Sequence, residues 1–353
     1  MRNLFGDEDF MKFQFPAPQY LGAKFVHRSW IAQYIPESAS VVLDALAGSQ
    51  SIAYMMKQLG KQTITNDFLS FNSKIGKALI ENGSEILTDE DITILFCDNS
   101  APDEFNLMEH LFSNLFFSRE EAAFIDSFRS NVSHLSSTFK QDLAFTVMCR
   151  SLTRKVTMGH FAHTQALAYA ADPARIKRNR SLIRPIKDIF MELVPQYNAA
   201  VFDNRMTNIS YNENILELLP KITGVDLVYF DPPYCNSHAD YQSFYHLLET
   251  FVMYWKDKEF VNGTKRYEPK RYSGFDKNSE ALKNLERLFS LSTHIPYWLI
   301  SYNDRSYPDI TTMISMIKPH RKVEVKTKEY SAGRGGKGSV AGSNEVLLIC
   351  SPY

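Results

Sequence analysis

The 353 residues, 40.6 kDa, exceed one ordinary domain and leave room for an α/β core carrying one sizeable insertion or lobe. With 44% hydrophobic and 22% charged residues the composition is that of a soluble globular protein, and no uninterrupted apolar run approaches a membrane span. A formal net charge of −1 means that any nucleic-acid contact has to come from local clustering of basic residues. Met1 to Phe10, with Asp7, Glu8 and Asp9, lacks the basic-then-apolar pattern of a signal sequence. Cys97, Cys149, Cys235 and Cys350 are too scattered for a zinc knuckle or a redox pair, so reduced thiols and a cytoplasmic location are expected.

Taken in order, the chain first offers Tyr20, Gly22 and Lys24, then a predicted helix from Phe25 to Tyr34. Gly22 permits close backbone approach, and Lys24 is placed to meet a carboxylate or a phosphate. Val41 to Asp44, the loop Ala45 to Ser51 and an amphipathic stretch with Ile52, Met55, Met56 and Leu59 read as strand, tight loop and helix. This is the first βα unit of a doubly wound sheet, with Gly48 letting the loop pass close to a ligand. Gln62 to Asn66 is a second strand, and Asp67 lies 23 positions beyond Asp44. An acid there suits the two ribose hydroxyls of a nucleoside cofactor. The competing reading is a helix N-terminus capped by Asp67 or Ser70. No Gly-x-Gly-x-x-Gly accompanies it, which speaks against a nicotinamide site.

Residues 75 to 205 break the strand-helix alternation and look mostly helical. Between 150 and 188 they hold Arg150, Arg154, Lys155, Arg175, Lys177, Arg178, Arg180, Arg184 and Lys187 against Asp172 and Asp188. That local excess of positive charge reads as a phosphate-contacting surface, or as a solvated basic helix face. His160 and His163 lack a third ligand nearby, so no metal is expected. Tyr211 to Leu219 re-enters the sheet, with Asn214 readable as a helix N-cap that Glu217 completes as a capping box.

Val225 to Phe230 is near-continuously apolar, as in a parallel strand covered on both faces, and it stops at Asp231-Pro232-Pro233-Tyr234. The prolines cannot extend the ladder and stiffen the backbone where Asp231 and Tyr234 project. Such a loop suits attack by an exocyclic amine whose lone pair is delocalised into an aromatic base. Asp231 accepts one amino N–H, the Pro232 carbonyl the other, and Tyr234 offers a face to a base drawn out of its duplex. Four residues alone also fit an ordinary strand ending in a proline-stiffened turn.

Beyond the loop, Tyr241, Phe244, Tyr245, Leu247, Leu248, Phe251, Tyr254 and Trp255 read as helical core, with His246 and Glu249 three apart and expected to pair with each other. The charged, Gly-containing stretch 256 to 278 reads as a mobile loop. Tyr297 to Asp304 repeats the strand-then-polar-aromatic pattern. Lys322 to Lys328 and Asn344 to Cys350 read as a hairpin whose connection carries Arg334 and Lys337 among glycines, a candidate DNA-backbone contact.

Asp-Pro-Pro-Tyr at 231 to 234, Tyr-x-Gly-x-Lys at 20 to 24, the Asp44 loop, Asp67 and Ser301-Tyr302-Asn303 occur in the order found in Dam-like, alpha-group N6-adenine-specific DNA methyltransferases, and the chain resembles that family over most of its length. The resemblance implies a class I, Rossmann-like fold dependent on S-adenosylmethionine. It assigns 1–74 and 206–353 to the catalytic domain and 75–205 to a helical target-recognition insertion, with an antiparallel hairpin at the carboxyl end. The catalytic residues it implies are Asp231, Pro232, Pro233 and Tyr234. The cofactor residues are Tyr20, Gly22, Lys24, Asp44, Ala45, Gly48, Ser49, Asp67, Phe68, Asn214, Ile215 and Asp231. DNA contacts fall to Arg150, Arg154, Lys155, Lys177, Arg178, Arg180, Arg334 and Lys337. Neither a metal nor a cysteine nucleophile is called for.

This chain departs from the family's usual Asp-x-Phe-x-Gly-Ser-Gly loop at two positions. Leu46 is expected to pack less well against an aromatic moiety, and Gln50 to crowd the loop. Asn214 stands where relatives carry an aspartate, and its carbonyl is a weaker acceptor for the cofactor's adenine amino group. The implied activity is methylation of adenine N6 in double-stranded DNA by direct attack of a flipped base, in company with a cognate restriction endonuclease. The alternatives are an amino-methyltransferase acting on cytosine N4 or RNA, and a non-catalytic DNA-recognition subunit. Relatives acting on cytosine tend to carry serine where Asp231 stands, and the altered Gln50 and Asn214 favour the recognition subunit.

Overall fold

The computed structural model describes residues 10–234, 240–275, 277–329 and 344–353. Its strands are β1 (Val41–Asp44), β2 (Gln62–Asn66), β3 (Ile209–Tyr211), β4 (Leu227–Phe230), the short pair β5 (Glu259–Phe260) and β6 (Tyr267–Glu268), β7 (Tyr297–Asn303), β8 (Lys322–Glu329) and β9 (Asn344–Ser351). Seven of them form one sheet in the order β3-β2-β1-β4-β7-β9-β8. Pairing is parallel from β3 through β7, whereas β9 runs antiparallel to both β7 and β8. The expected doubly wound sheet and terminal hairpin are both present.

Strand alternation divides the core. Val42, Leu227, Tyr229, Leu299 and Leu347 point to one face, where Ile31 and the Ile52, Met55 and Met56 side of helix Ser51–Gln58 cover them. Leu43, Val228, Phe230, Trp298, Ile300 and Leu348 point to the other, against Leu285, Leu288 and Phe289 of helix Asn278–Leu291 and Met313 and Ile317 of helix Ile310–Ile317. With both faces covered, β4 is buried at all four positions, which is why its sequence runs apolar without alternation. The β1↔β4 register pairs Leu43 with Val228 and Asp44 with Tyr229, so the loops after both strands leave the sheet at the same edge. β2 and β4 lie on opposite sides of β1, making this edge the switch point of the sheet, where α/β folds open a crevice.

The helical insertion leaves between β2 and β3. Its longer helices, Arg119–Asn131, Thr138–Arg154 and Ile186–Asn198, start cleanly at least twice, because Ser118 and Ser137 cap their first turns. Phe128, Leu143, Val147, Phe190 and Leu193 of these helices share one continuous hydrophobic cluster with Phe15, Tyr54, Leu248 and Phe251. Phe25 to Tyr34, expected as one helix, falls in a run of 3-10, α and 3-10 turns over residues 24–34.

Candidate active site

At the carboxyl edge of β1, β2 and β4 a cleft of about 990 Å³, counted to its mouth, brings together segments far apart in the chain. Every residue the sequence nominated for cofactor or catalysis lies on its wall except Ala45, whose backbone instead joins β4 and β2 through Tyr229 O and Asn66 Nδ2.

Asp231 emerges directly from β4. The Lys24 ammonium, delivered by the amino-terminal segment, lies 2.9 Å from both Asp231 oxygens and 2.9 Å from the Tyr234 hydroxyl, and it also donates to Gly22 O at 3.3 Å. Burial pushes the Asp231 carboxyl above its ordinary range while Lys24 pulls it back. For Lys24 burial opposes the charge, yet Asp231, Glu345 and the neighbouring tyrosines win, and the ammonium is held well above its usual value. The Tyr234 ring stands edge-on to Tyr302, 5.3 Å between centroids, and Tyr229 donates to Ser301 Oγ at 2.7 Å. Ser301 and Tyr302 of β7 thereby steady both β4 and the aromatic ring just beyond its end.

The β1 loop is held from below. Asp44 accepts from the Ala53 N–H at 3.0 Å, tying the strand end to the first turn of the following helix. Gly48 has φ +49°, and a Cβ added there would sit 3.0 Å from Tyr20 Cε1. The Tyr20 ring is in turn stacked on Tyr245 at 4.8 Å and 8°. The Asp67 carboxylate accepts from Gly48 N at 2.7 Å, from Leu69 N at 2.8 Å and from Asn72 Nδ2 at 3.1 Å. Asp67 therefore braces the loop, and neither it nor Ser70 is the N-cap of helix Ser70–Gly76, a position taken by Leu69.

Gln50 does not crowd the loop. It takes φ +66°, fully buried, and turns its amide away from the cleft, where Oε1 accepts from Thr65 Oγ1 at 2.5 Å and Nε2 donates to Asn72 O at 3.2 Å. Asn214 caps the helix Ile215–Leu218 through Leu216 N, which is the N-cap half of the alternative reading without the Glu217 capping box, and also donates to Tyr272 O at 3.3 Å.

The stretch expected to be a mobile loop is anchored across the cleft. Arg271 donates to Phe68 O and Ser70 Oγ, approaches Glu249 at 3.3 Å and stacks on the Phe68 ring, while Gln242 holds its backbone at both N and O. Ser273 and Phe275 consequently line the pocket. Sequence reasoning missed these residues because no local pattern links Arg271 to Phe68. His246 and Glu249 do not pair: the histidine ring faces Ser243 O, and Glu249 accepts from Phe71 N at 2.8 Å. Their three-residue spacing was a weaker guide than the partners each finds across the core.

The nominated basic residues separate. Lys177, Arg178 and Arg180 are exposed. Arg154 is paired with Glu192 at 2.8 Å, and Arg150 donates to Gln19 at 2.8 Å beside the Tyr20 stack. Lys155 is only 7% exposed, with its ammonium on Glu121 at 2.8 Å and on Arg184 O at 2.7 Å. It is a largely buried tether whose charge is already paired, so it does not belong to the surface on which its sequence neighbours place it. Arg334 and Lys337 lie outside the described residues.

The model of the D12 class N6 adenine-specific DNA methyltransferases matches residues 20–303, from the Tyr20 stack to the end of β7. The chain belongs to that family. It is 31% identical over 343 residues, 95% of this chain and 98% of the relative, to Type II methyltransferase M2.HphI of Haemophilus parahaemolyticus. It is 26% identical over 340 residues to Modification methylase StsI of Streptococcus sanguinis, covering 88% of this chain and 48% of the relative. A third relative, Type II methyltransferase M.FokI of Planomicrobium okeanokoites, is 25% identical over 241 residues, 64% of this chain and 34% of its own. As a D12-class enzyme the chain transfers a methyl group to adenine N6 of DNA.

Proposed function

We propose that the methyl donor is S-adenosylmethionine and that this D12-class enzyme methylates a flipped adenine by direct attack of its N6 amine. The fit of this chain to the cofactor rests on the Gly48 position, where the space a Cβ would fill is bounded by Tyr20, and on an acid-lined cleft that suits a cation. When bound, S-adenosylmethionine supplies an electrophilic methyl on a sulfonium. Residues of this chain do the rest. The Gly48 loop and Asp67 hold the nucleoside end, with Phe68, Asn214 and Ile215 beside them, and Asp44 and Ser49 line the loop side.

The observation that carries the catalytic reading is Asp231 at the end of β4, with Tyr234 three residues on and both held by one ammonium. The Asp231 carboxylate accepts one amino N–H and the Pro232 carbonyl accepts the other. The pair favours a pyramidal nitrogen with its lone pair free to attack, while Tyr234 stacks on the ring and Pro233 fixes the spacing. Both acceptors stand at the end of β4 before the base arrives. Gln50 and Asn214, the departures that favour a recognition subunit, leave the cleft open, which supports the catalytic reading over that one. The named relatives are Type II and modification methylases, which supports a cognate restriction endonuclease as partner. Exposed Lys177, Arg178 and Arg180 are assigned to the DNA backbone, with residues 75–205 as the region that reads the target.

The test is tritiated methyl transfer from S-adenosylmethionine to DNA, followed by nucleoside analysis, with wild type beside Asp231→Ala. Label in N6-methyladenine that is lost in the variant supports the assignment; label in N4-methylcytosine, or label that persists in the variant, refutes it.

A further inference from the structure

Lys24 has a second carboxylate beside it. Glu345, on β9, is 6% exposed and places Oε1 3.6 Å from the Lys24 ammonium, within ion-pair range but beyond hydrogen-bond reach. It follows Asn344 at the start of β9, is succeeded by Val346, Leu347, Leu348 and Ile349, and shares the side of β9 on which Leu347 packs against the amino-terminal segment. An acid buried among such neighbours carries a desolvation penalty unless a cation meets it. The only ammonium that the ion-pair geometry gives it, among the described residues, is the one already committed to Asp231.

Two carboxylates, Glu345 buried and Asp231 partly exposed on the cleft wall, thus share one ammonium, and the closer of them is the residue assigned to the adenine amino group. A carboxylate held by a lysine at 2.9 Å through both oxygens is a poorer acceptor than a released one, since its lone pairs and its charge are already engaged. We propose that Glu345 is a positioning residue that takes over the Lys24 ammonium when the target base claims Asp231. The transfer requires a shift of about 1 Å at the end of a flexible four-carbon side chain, with the ammonium staying buried and paired at both ends of its travel. Burial raises Glu345 to about 7, and Asp231 adds to the rise while Lys24 opposes it, so closer approach of the ammonium favours the charged form of this acid. Glu345 touches no substrate in this account; it acts through Lys24.

This inference rests on the catalytic reading of Asp231, and the experiment separates the two. DNA that wild type methylates is used with 2-aminopurine at the target position, whose fluorescence reports the unstacked base, and single-turnover methyl transfer is followed on the adenine version. Glu345→Gln is expected to lower the single-turnover rate about tenfold and to reduce the 2-aminopurine signal, with S-adenosylmethionine affinity and melting temperature near wild type. Glu345→Asp is expected to recover most of the rate. In a Lys24→Met background, Glu345→Gln is expected to change the rate less than twofold. A Glu345→Gln rate within twofold of wild type, an equal loss in Glu345→Asp and Glu345→Gln, or independent multiplicative losses in the double variant would overturn the proposal. Wild type that transfers no label removes the catalytic reading itself, and the inference with it.

Discussion

The backbone N–H of Gly48 donates to the Asp67 carboxylate at 2.7 Å, so the end of β2 carries the loop that follows β1. Asp67→Ala leaves the N–H groups of Gly48 and Leu69 and the Asn72 amide short of an acceptor. Leaving even one buried donor unpaired costs about 1–3 kcal/mol. We predict a stability loss of about that size, read by urea denaturation, together with at least tenfold weaker S-adenosylmethionine binding by calorimetry.

Gln50 sets two effects against each other. Glycine relieves a positive φ, worth about 1 kcal/mol. It also strips Thr65 Oγ1 of its buried acceptor and Asn72 O of a donor, worth more in sum. Gln50→Gly is therefore expected to lower stability by about 1 kcal/mol without tightening the cofactor, measured as a thermal shift with and without S-adenosylmethionine.

The Lys24 ammonium and its two acids respond unequally to substitution. Lys24→Met strands the buried Glu345 and the partly exposed Asp231 and is expected to destabilise by about 3 kcal/mol. Asp231→Asn leaves the ammonium with Glu345 and is expected to destabilise far less, while lowering single-turnover methyl transfer by about 10²–10³-fold as one catalytic acceptor is weakened. Parallel urea melts and rate measurements check both.

Glu249 gives stability a pH dependence. Burial raises it from 4.5 to about 7, against the opposing pull of Arg271 and the Phe71 N–H. The folded state therefore binds the proton more tightly than the unfolded one. The associated stability is fully present below pH 4.5 and is lost as pH rises through 7. Glu249→Gln removes this contribution. The stability of wild type relative to the variant should fall by on the order of 2–3 kcal/mol between pH 4.5 and pH 8, read as paired urea midpoints.

Replacing Lys177, Arg178 and Arg180 together by alanine tests the exposed basic surface. If each neutralises one phosphate, the slope of log K against log salt becomes shallower by about 2.7, at roughly 0.9 per contact. Fluorescence anisotropy on duplex DNA over a salt series checks this, and an unchanged slope removes these residues from the interface.

The sheet and the catalytic loop were legible because they are written locally. A doubly buried strand has to be apolar throughout, and prolines have to end it, so Leu227 to Tyr234 announces both its burial and its edge. The Asp44 and Asp67 strand ends are readable for the same reason. What stayed hidden depends on contacts made across the fold. Lys155 looks like its surface neighbours until Glu121 is seen to face it, and Gln50 looks obstructive until its amide is seen to have partners on β2 and helix Ser70–Gly76. Glu345 carries only the faint mark of one acid near the start of an apolar strand. Arg271, which straps the pocket, carries no mark at all.

The continuous cluster that joins Phe128 and Phe190 to Tyr54 and Phe15 bears on how specificity changes in such enzymes. A target reader with its own core would transplant between relatives as a cassette. Here the insertion and the helix behind the cofactor loop solidify together, so a graft of residues 75–205 alone would bring a foreign surface against Tyr54 and Phe15. On the proposed reading of 75–205 as the target reader, new specificity is more accessible by changing exposed side chains on the existing helices, and chimaeras should fold only when the packing partners travel with the insert.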